Sequence, residues 1–217
     1  MRTISVRFHI ALIVIAFLST SALAQELTVI KLPTPQTDGG KPLMNALKQR
    51  QSSRTFSKKT LSPQIISNLL WAANGINRPD SGKRTAPSAH NWQETDIYFA
   101  NADGLYLYDS KSHALDPVLS KDIRAMTGEQ EYVGTAPVNL IYVADLSRMA
   151  EASPEDKAFY STVDTGFISQ NVYLFCASEG LSTVVRGLID RHKLAGIMKL
   201  KSDQKIILTQ TVGYPNE

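Results

Sequence analysis

Ile65, Ile66, Leu69, Leu70 and Ala73 recur at three- and four-residue intervals, the spacing that gathers apolar side chains on one side of a helix. Ser62 ahead of Pro63 offers a hydroxyl cap followed by proline at the first helical position, and Asn74-Gly75 offers a stop, so a helix is predicted between them. Leu43, Ala46 and Leu47 behind Pro42 predict a shorter helix reaching Arg50. From Ile76 to Gln93 the apolar period disappears, and Pro79, Gly82 and Pro87 predict a loop. Ile97 to Ala100 and Leu105 to Tyr108 flank Asn101-Ala102-Asp103-Gly104, which reads as a hairpin. Val138 to Ala144 predicts a buried strand, Ser153-Pro154 caps one helix, and Thr162 to Glu179 predicts another, apolar on more than one side and ended by Gly180. Leu181 to Val185 is a short strand, Asp190 caps a helix reaching Ile197, and Ile206 to Val212 is a closing strand. Helices and strands mix without regular alternation, which predicts an α+β fold.

The chain has 217 residues, 43% hydrophobic and 20% charged, enough for one globular body with short appendages. Residues 1–24 read as one appendage: Arg2 and Arg7 precede an apolar run from Ile10 to Leu18, and Ser21-Ala22-Leu23-Ala24 is a small-x-small ending. This predicts a cleavable signal peptide cut after Ala24 and a periplasmic or secreted product. The apolar run is shorter than a membrane-spanning helix, so stable membrane insertion is not expected. No Cys follows the cut to carry a lipid, and the arginines are not adjacent, so the chain is expected to cross unfolded and to acquire any cofactor outside. Residues 25–41, with Pro33, Pro35, Gly39 and Gly40, read as a flexible N-terminal arm; residues 42–217 read as the folded domain. Removing the leader with its two arginines leaves 21 basic against 20 acidic residues, and no basic stripe alternates with aromatics. Nucleic acid is excluded as an expected partner on that ground.

Two segments concentrate chemistry. Arg50-Gln51-Ser52-Ser53-Arg54 sets two guanidiniums and two hydroxyls at the end of a short helix, a donor set that suits a phosphate and equally suits a solvated basic turn. Arg84 to Gln93 combines a stiffening Pro87, small residues and the amides of Asn91 and Gln93, which donate and accept at once, as a heterocycle or sugar requires. Ser88 near His90 raises hydrolysis, but no G-x-S-x-G elbow is present. His90, His113 and His192 lack metal-ligand spacing, and there is no G-x-G-x-x-G or P-loop. Cys176, inside an apolar run, reads as a small buried hydrophobe.

In order and spacing these segments resemble the nitroreductase superfamily of FMN-dependent enzymes. The resemblance rests on the R-x-S-x-R from Arg50, the capped helix from Ser62, the P-S-A-x-N-x-Q from Pro87 and the Arg186-Gly187 that follows Gly180-Leu181. L-L-W-A-A-x-G-I-N from Leu69 and T-V-G-Y-P from Thr211 are similar to the subgroup of thiazoline- and oxazoline-forming oxidases. Together they cover about Leu43 to Pro215.

The resemblance implies a homodimer with a central, mostly antiparallel sheet flanked by helices and two FMN molecules at the subunit interface. By position it implies that Arg50, Gln51 and Ser52 hold the FMN phosphate and that Arg54 lies by the pyrimidine edge. Pro87, Ser88, Ala89 and Asn91 would reach the cofactor of the partner subunit, backbone amides at Arg186 and Gly187 would face flavin N5 and O4, and Gln130 would add a polar contact. The family's C-terminal extension adds basic residues to the phosphate site; with this sequence ending at Glu217, Arg84 or Arg124 are expected substitutes. The implied activity is an exported FMN-dependent oxidoreductase without a catalytic side-chain dyad, because the isoalloxazine carries the electrons. It would run a ping-pong cycle on a planar small molecule such as a nitroaromatic or quinone. NAD(P)H is a candidate donor, and outside the cytoplasm an oxidase direction with O₂ as acceptor is the counterpart. The alternative is a non-catalytic flavin- or metabolite-binding protein on the same fold.

Overall fold

The computed structural model describes residues 27–216; the predicted leader and its cut after Ala24 lie outside them. The elements in chain order are β1 (Ile30–Lys31), α1 (Leu43–Gln49), α2 (Pro63–Asn74), β2 (Ile76–Arg78), β3 (Lys83–Arg84), β4 (Thr95–Ala100), β5 (Leu105–Asp109) and β6 (Ala114–Leu119). They continue with β7 (Val138–Asp145), α3 (Pro154–Glu179), β8 (Ser182–Arg186), α4 (Arg191–Met198) and β9 (Gln204–Gly213). Seven strands form one sheet in the order β1-β6-β5-β4-β7-β9-β8, and each neighbouring pair is antiparallel. The fold is α+β, as expected.

The caps behave as the residues predict. Ser62 Oγ accepts from the Ile65 amide, Ser153 Oγ from Asp156, and the Asp190 carboxylate from Lys193. Central strands β4 and β7 are buried on both faces, and alternation divides their side chains. Ile97, Phe99, Leu140 and Tyr142 point to α2 and α3, meeting Leu69, Leu70, Ile168 and Val172. Tyr98, Ala100, Ile141 and Val143 point the other way, to Leu194 and Met198 of α4.

Three expectations change, and one strand, β6, was not anticipated. The segments from Ser153 and from Thr162 are one 26-residue helix, because no proline interrupts them and Gly166 costs a helix interior only about 1 kcal/mol. The loop from Ile76 to Gln93 begins with a two-stranded ribbon, β2 with β3, turned by Pro79–Ser81 and a left-handed Gly82. Strand β6 was hidden by Pro117, which the sheet tolerates because β1 pairs only with Ala114 and Leu115, leaving the rest of β6 an edge. Part of the segment read as an arm is strand β1, and Leu27 and Leu32 pack on the core.

A polar relay ties that segment down. Ser67 Oγ donates to Pro33 O at 2.6 Å and lies 2.7 Å from His113 Nε2, while Tyr108 Oη lies 2.9 Å from His113 Nδ1. With Ser67 committed to the carbonyl, Nε2 carries the ring proton and Nδ1 accepts from the phenol. Burial holds His113 below its ordinary 6.5. The fold therefore prefers the neutral ring: this contribution to stability is complete above pH 6.5 and is lost as pH falls through the folded-state value. Thermal melts at pH 7.5 and 5.5 should show a larger loss for the wild type than for His113→Gln; equal losses would remove His113 as the titrating group.

Candidate functional site

The turn after α1 is docked rather than solvated. Arg50 caps α1 with its amide on Ala46 O, and its guanidinium lies 5.3 Å from the Tyr173 ring centroid. Ser52 Oγ is 2.8 Å from Tyr173 Oη, which accepts from the Val185 amide at 3.0 Å. Next door the Ser53 amide donates to Thr183 O at 2.9 Å, and Ser182 Oγ donates to Ser53 Oγ. One phenol from α3 thus joins the basic turn to the outer edge of β8. Gln51, Ser52 and Arg54 remain exposed. Beside the turn lies a cleft of about 430 Å³ whose lining includes Lys41, Lys48, Gln51, Ser53 and Ser182. Among the described residues neither Arg50 nor Arg54 is within ion-pair distance of a carboxylate.

The expected substitutes for extra basic groups are engaged elsewhere. Arg124 pairs with Asp122 at 2.7 Å and donates to Ala136 O, and Arg84 donates to Gln93 Oε1 at 2.9 Å. Lys41 and Lys48 line the cleft itself, with Lys41 Nζ already donating to Gln49 Oε1 at 2.7 Å and Ala177 O at 3.3 Å.

At the end of β8, Arg186 is buried and faces away from Tyr173. It donates through Nη1 to Thr127 O and through Nη2 to Asn139 Oδ1, while Nε has no partner. Burial pushes this guanidinium down to about 10, so it stays charged at neutral pH. Gln130 Oε1, also buried, has no partner either. Both groups crowd Gly128, where a Cβ would collide with Arg186 Nη1 and lie 2.9 Å from Gln130 Oε1. Gly187 is different: it is exposed, and a Cβ there would meet only Leu208 at 3.8 Å. Its own chain does not require the missing side chain.

The Pro87–Asn91 segment stands apart. It is anchored to α3 through the Ala89 amide, which donates to Asp164 Oδ2 at 2.9 Å. Asp164 and Tyr173 are nine positions apart on α3, about 13.5 Å along its axis, so one chain does not bring the two clusters together. Pro87 and Asn91 are exposed, and Ser88 Oγ is occupied by the Gln93 amide at 3.0 Å. His90, Asn91 and Gln93 all have positive φ, between 50° and 57°. Three non-glycine residues in that region within four positions is rare outside functional loops. His90 stacks 4.6 Å from Trp92 and does not approach Ser88 as a base would, so hydrolysis has no geometry here.

Tyr173, Asp164 and Gly128 are the members that pattern reasoning missed. Tyr173 sits in an apolar helical run that signals only burial. Asp164, an acid inside the helix's otherwise uncharged stretch from Phe159 to Ala177, was the available signal. Cys176 is buried and burial pushes its thiol up, away from nucleophilic use. Among the described residues there is no cluster of three or more metal-ligating side chains, and no helix is long and apolar enough to cross a membrane.

The unpaired cations, the partnerless Gln130 amide oxygen and the open flank of Gly187 suit an anionic, heteroaromatic cofactor such as FMN. Comparison with known proteins supplies the lineage. The model of the family described as "Nitroreductase family" matches residues 47–214. A Ralstonia eutropha crystal structure described as a nitroreductase superposes with a TM-score of 0.85 at 43% identity, covering 88% of this chain and 91% of that one. The fold is shared with the Escherichia coli microcin synthetase McbBCD complex bound to truncated pro-MccB17, where one chain matches with a TM-score of 0.70 at 21% identity, 93% of this chain and 85% of that one. It is also shared with a Desulfovibrio desulfuricans protein solved in complex with FMN, with a TM-score of 0.60 at 19% identity, 82% and 89% covered. The chain belongs to the nitroreductase family.

Proposed function

We propose that this protein is an FMN-dependent oxidoreductase that passes an electron pair between two small molecules, with flat conjugated acceptors such as nitroaromatics and quinones as its substrate class. The observation that carries the reading is the Arg50–Arg54 turn, seated on β8 by Tyr173 with its cations free of carboxylates. The FMN reported with the Desulfovibrio relative supports the choice of cofactor. When bound, FMN supplies the atom that takes up and releases hydride. Arg50, Gln51 and Ser52 hold its phosphate, with Lys41 and Lys48 adding charge from the adjoining cleft. Arg54 lies by the pyrimidine edge, and amides at Arg186 and Gly187 orient N5 and O4. Gln130 would add a polar contact.

Pro87, Ser88, Ala89 and Asn91 meet the cofactor of a second copy, which accounts for their distance from the turn. The apolar surface that such a homodimer needs is present. Phe159, Val163 and Phe167, 60%, 37% and 45% exposed, recur every four residues along α3, and Leu43, Met44 and Leu47 are exposed on α1. A monomeric mass by light scattering with flavin still bound would contradict the pairing. The protein is exported by its leader to the periplasm or beyond, and donor and acceptor use one cleft in turn. Kinship with the thiazoline/oxazoline oxidase subgroup is supported by the L-L-W-A-A-x-G-I-N and T-V-G-Y-P runs and by the shared fold of the microcin synthetase chain.

The test is a flavin absorption spectrum of purified protein, then anaerobic bleaching by NADH or NADPH and aerobic peroxide formation with candidate donors. Bound flavin that no donor reduces would support sequestration instead, and absence of flavin would end the redox reading. In the bleached protein, Arg54→Ala should lower the flavin potential by on the order of 30 mV, the two-electron equivalent of about 1.4 kcal/mol. An unaltered potential by dye equilibration would move Arg54 away from the pyrimidine edge.

A further inference from the structure

Beneath the Pro87–Asn91 loop, Asp164, the anchor of Ala89, is paired with a second acid. Glu94, the residue just before β4, is fully buried, and its Oε2 has no hydrogen-bond donor from the protein. It faces the Asp164 carboxyl group, and Ser88, Glu94 and Asp164 line one cavity of about 10 Å³, room for a single water at most. Asp164 Oδ2 is the acceptor for the Ala89 amide.

We propose that Glu94 and Asp164 hold one proton between them and that this proton keeps the Pro87–Asn91 loop in the shape a bound cofactor meets, which makes both of them positioning residues. The inference rests on the reading above, that this loop contacts flavin. Two charged carboxylates cannot share a dry pocket without a cation, so one must be neutral. The assignment follows from their partners. Asp164 accepts an N–H at 2.9 Å and so keeps the charge, whereas Glu94 receives a long Thr95 hydroxyl contact at 3.4 Å on Oε1 and no donor at Oε2, so that second oxygen supplies an O–H to Asp164.

The nearby cations are committed elsewhere. Arg148, from the turn after β7, is held by Asp96 on β4 at 2.8 and 2.9 Å and by Gln93 O at 2.8 Å, with Asp145 at 3.9 Å. Arg84 on β3 is held by Gln93 Oε1. Around the pair, α3 contributes Thr165, 3.3 Å from Thr95 Oγ1, while Tyr160 of α3 and His90 of the loop stack on Trp92 and each other. Arg84 also lines the cavity and Arg148 senses the Glu94 carboxyl from a distance, but their hydrogen bonds go to Asn74, Gln93 and Asp96, and neither bonds or ion-pairs with Glu94 or Asp164. Burial, and then the Asp164 charge, raise Glu94 above its ordinary 4.5. The fold binds this proton more tightly than the unfolded chain does. Its contribution is complete below the unfolded value and is lost as pH rises through the folded one. On deprotonation the proton leaves to solvent, the carboxylates separate, and Asp164 loosens its hold on Ala89. The loop holds three residues at strained φ; its internal bonds, from the Gln93 amide to Ser88 Oγ and from the Asn91 amide to Ser88 O, keep its turn, and loss of the Ala89–Asp164 bond shifts where that turn sits against α3.

Two readouts on the full chain between pH 5 and 9 test this: protection of the Ala89 amide from hydrogen exchange by NMR, and the FMN dissociation constant. In the wild type, protection should fall at least tenfold across a one-proton step, and flavin affinity should fall at least tenfold in the same step. Glu94→Gln, whose amide mimics the protonated acid, should abolish the step in both, and so should Asp164→Asn, which keeps an oxygen for Ala89. A step that survives in Glu94→Gln, or a wild type without one, overturns the proposal. So does a protection step without any change in flavin affinity. If protection follows Glu94 while FMN binds at no pH, the proton pair stands and the flavin reading fails. Should Glu94→Gln not fold, Asp164→Asn and the wild-type step decide.

Discussion

Arg50→Ala should raise the dissociation constant of FMN about ten- to a hundredfold. A hydrogen bond to a charged group is worth roughly 1.5–3 kcal/mol, and each 1.4 kcal/mol is a factor of ten. The estimate applies because the Arg50 guanidinium is neither neutralised nor free to wander. It is half-buried over the Tyr173 ring and has no carboxylate in reach among the described residues. Its charge is available to an incoming anion, and part of the ordering cost has been met by the fold. Arg50→Lys should fall between wild type and alanine, since an ammonium keeps the charge but loses the planar fork. Fluorescence titration of FMN reads both values. Unchanged affinity in the alanine variant would place the phosphate elsewhere.

Gly128→Ala should be the most destabilising conservative change in the loop between β6 and β7. Its new methyl would strike Nη1 of Arg186, the last residue of β8, a buried side chain whose bonds to Thr127 O and Asn139 Oδ1 must be disturbed for it to give way. Overpacking costs up to roughly 3 kcal/mol, and in a chain of this size each kcal/mol lowers the melting temperature by about 2–4 °C. A fall of up to about 12 °C is therefore expected. In a double-mutant cycle, Arg186→Met should recover part of it by removing the colliding atom. Strict additivity of the two changes would show that the glycine serves some other purpose.

Capped helices were the most legible elements, because a hydroxyl followed by proline and an apolar stripe at helical spacing are local signals. Ser62-Pro63, Ser153-Pro154 and Asp190 each start a helix where expected. What escaped was set by distant neighbours. Pro117 argues against a strand until the shortness of β1 is known, and Leu27 to Lys31 reads as polar arm until β6 is there to pair with it. The same division runs through the candidate site. The guanidiniums and hydroxyls of Arg50 to Arg54 were visible because they are contiguous, and the Pro87 to Gln93 segment because its residue types are unusual together. Tyr173 was invisible: only the docking of residues 50–54 on β8, a contact spanning more than a hundred residues of chain, turns a buried phenol into a hub. Arg84 is held by Gln93, nine positions on, whereas Arg124 pairs with Asp122 only two positions away, a partner already in view along the chain.

The continuity of α3 has a consequence for how the protein can change by insertion or deletion. Asp164 and Tyr173 are marks on a single ruler, and each added residue between them would advance one mark by about 1.5 Å and turn it by about 100°. Loops elsewhere on the surface can lengthen with little penalty, but this stretch tolerates no change of phase. A one-residue insertion beside Gly166 would swing one of the two anchors off its target while the helix itself remained intact.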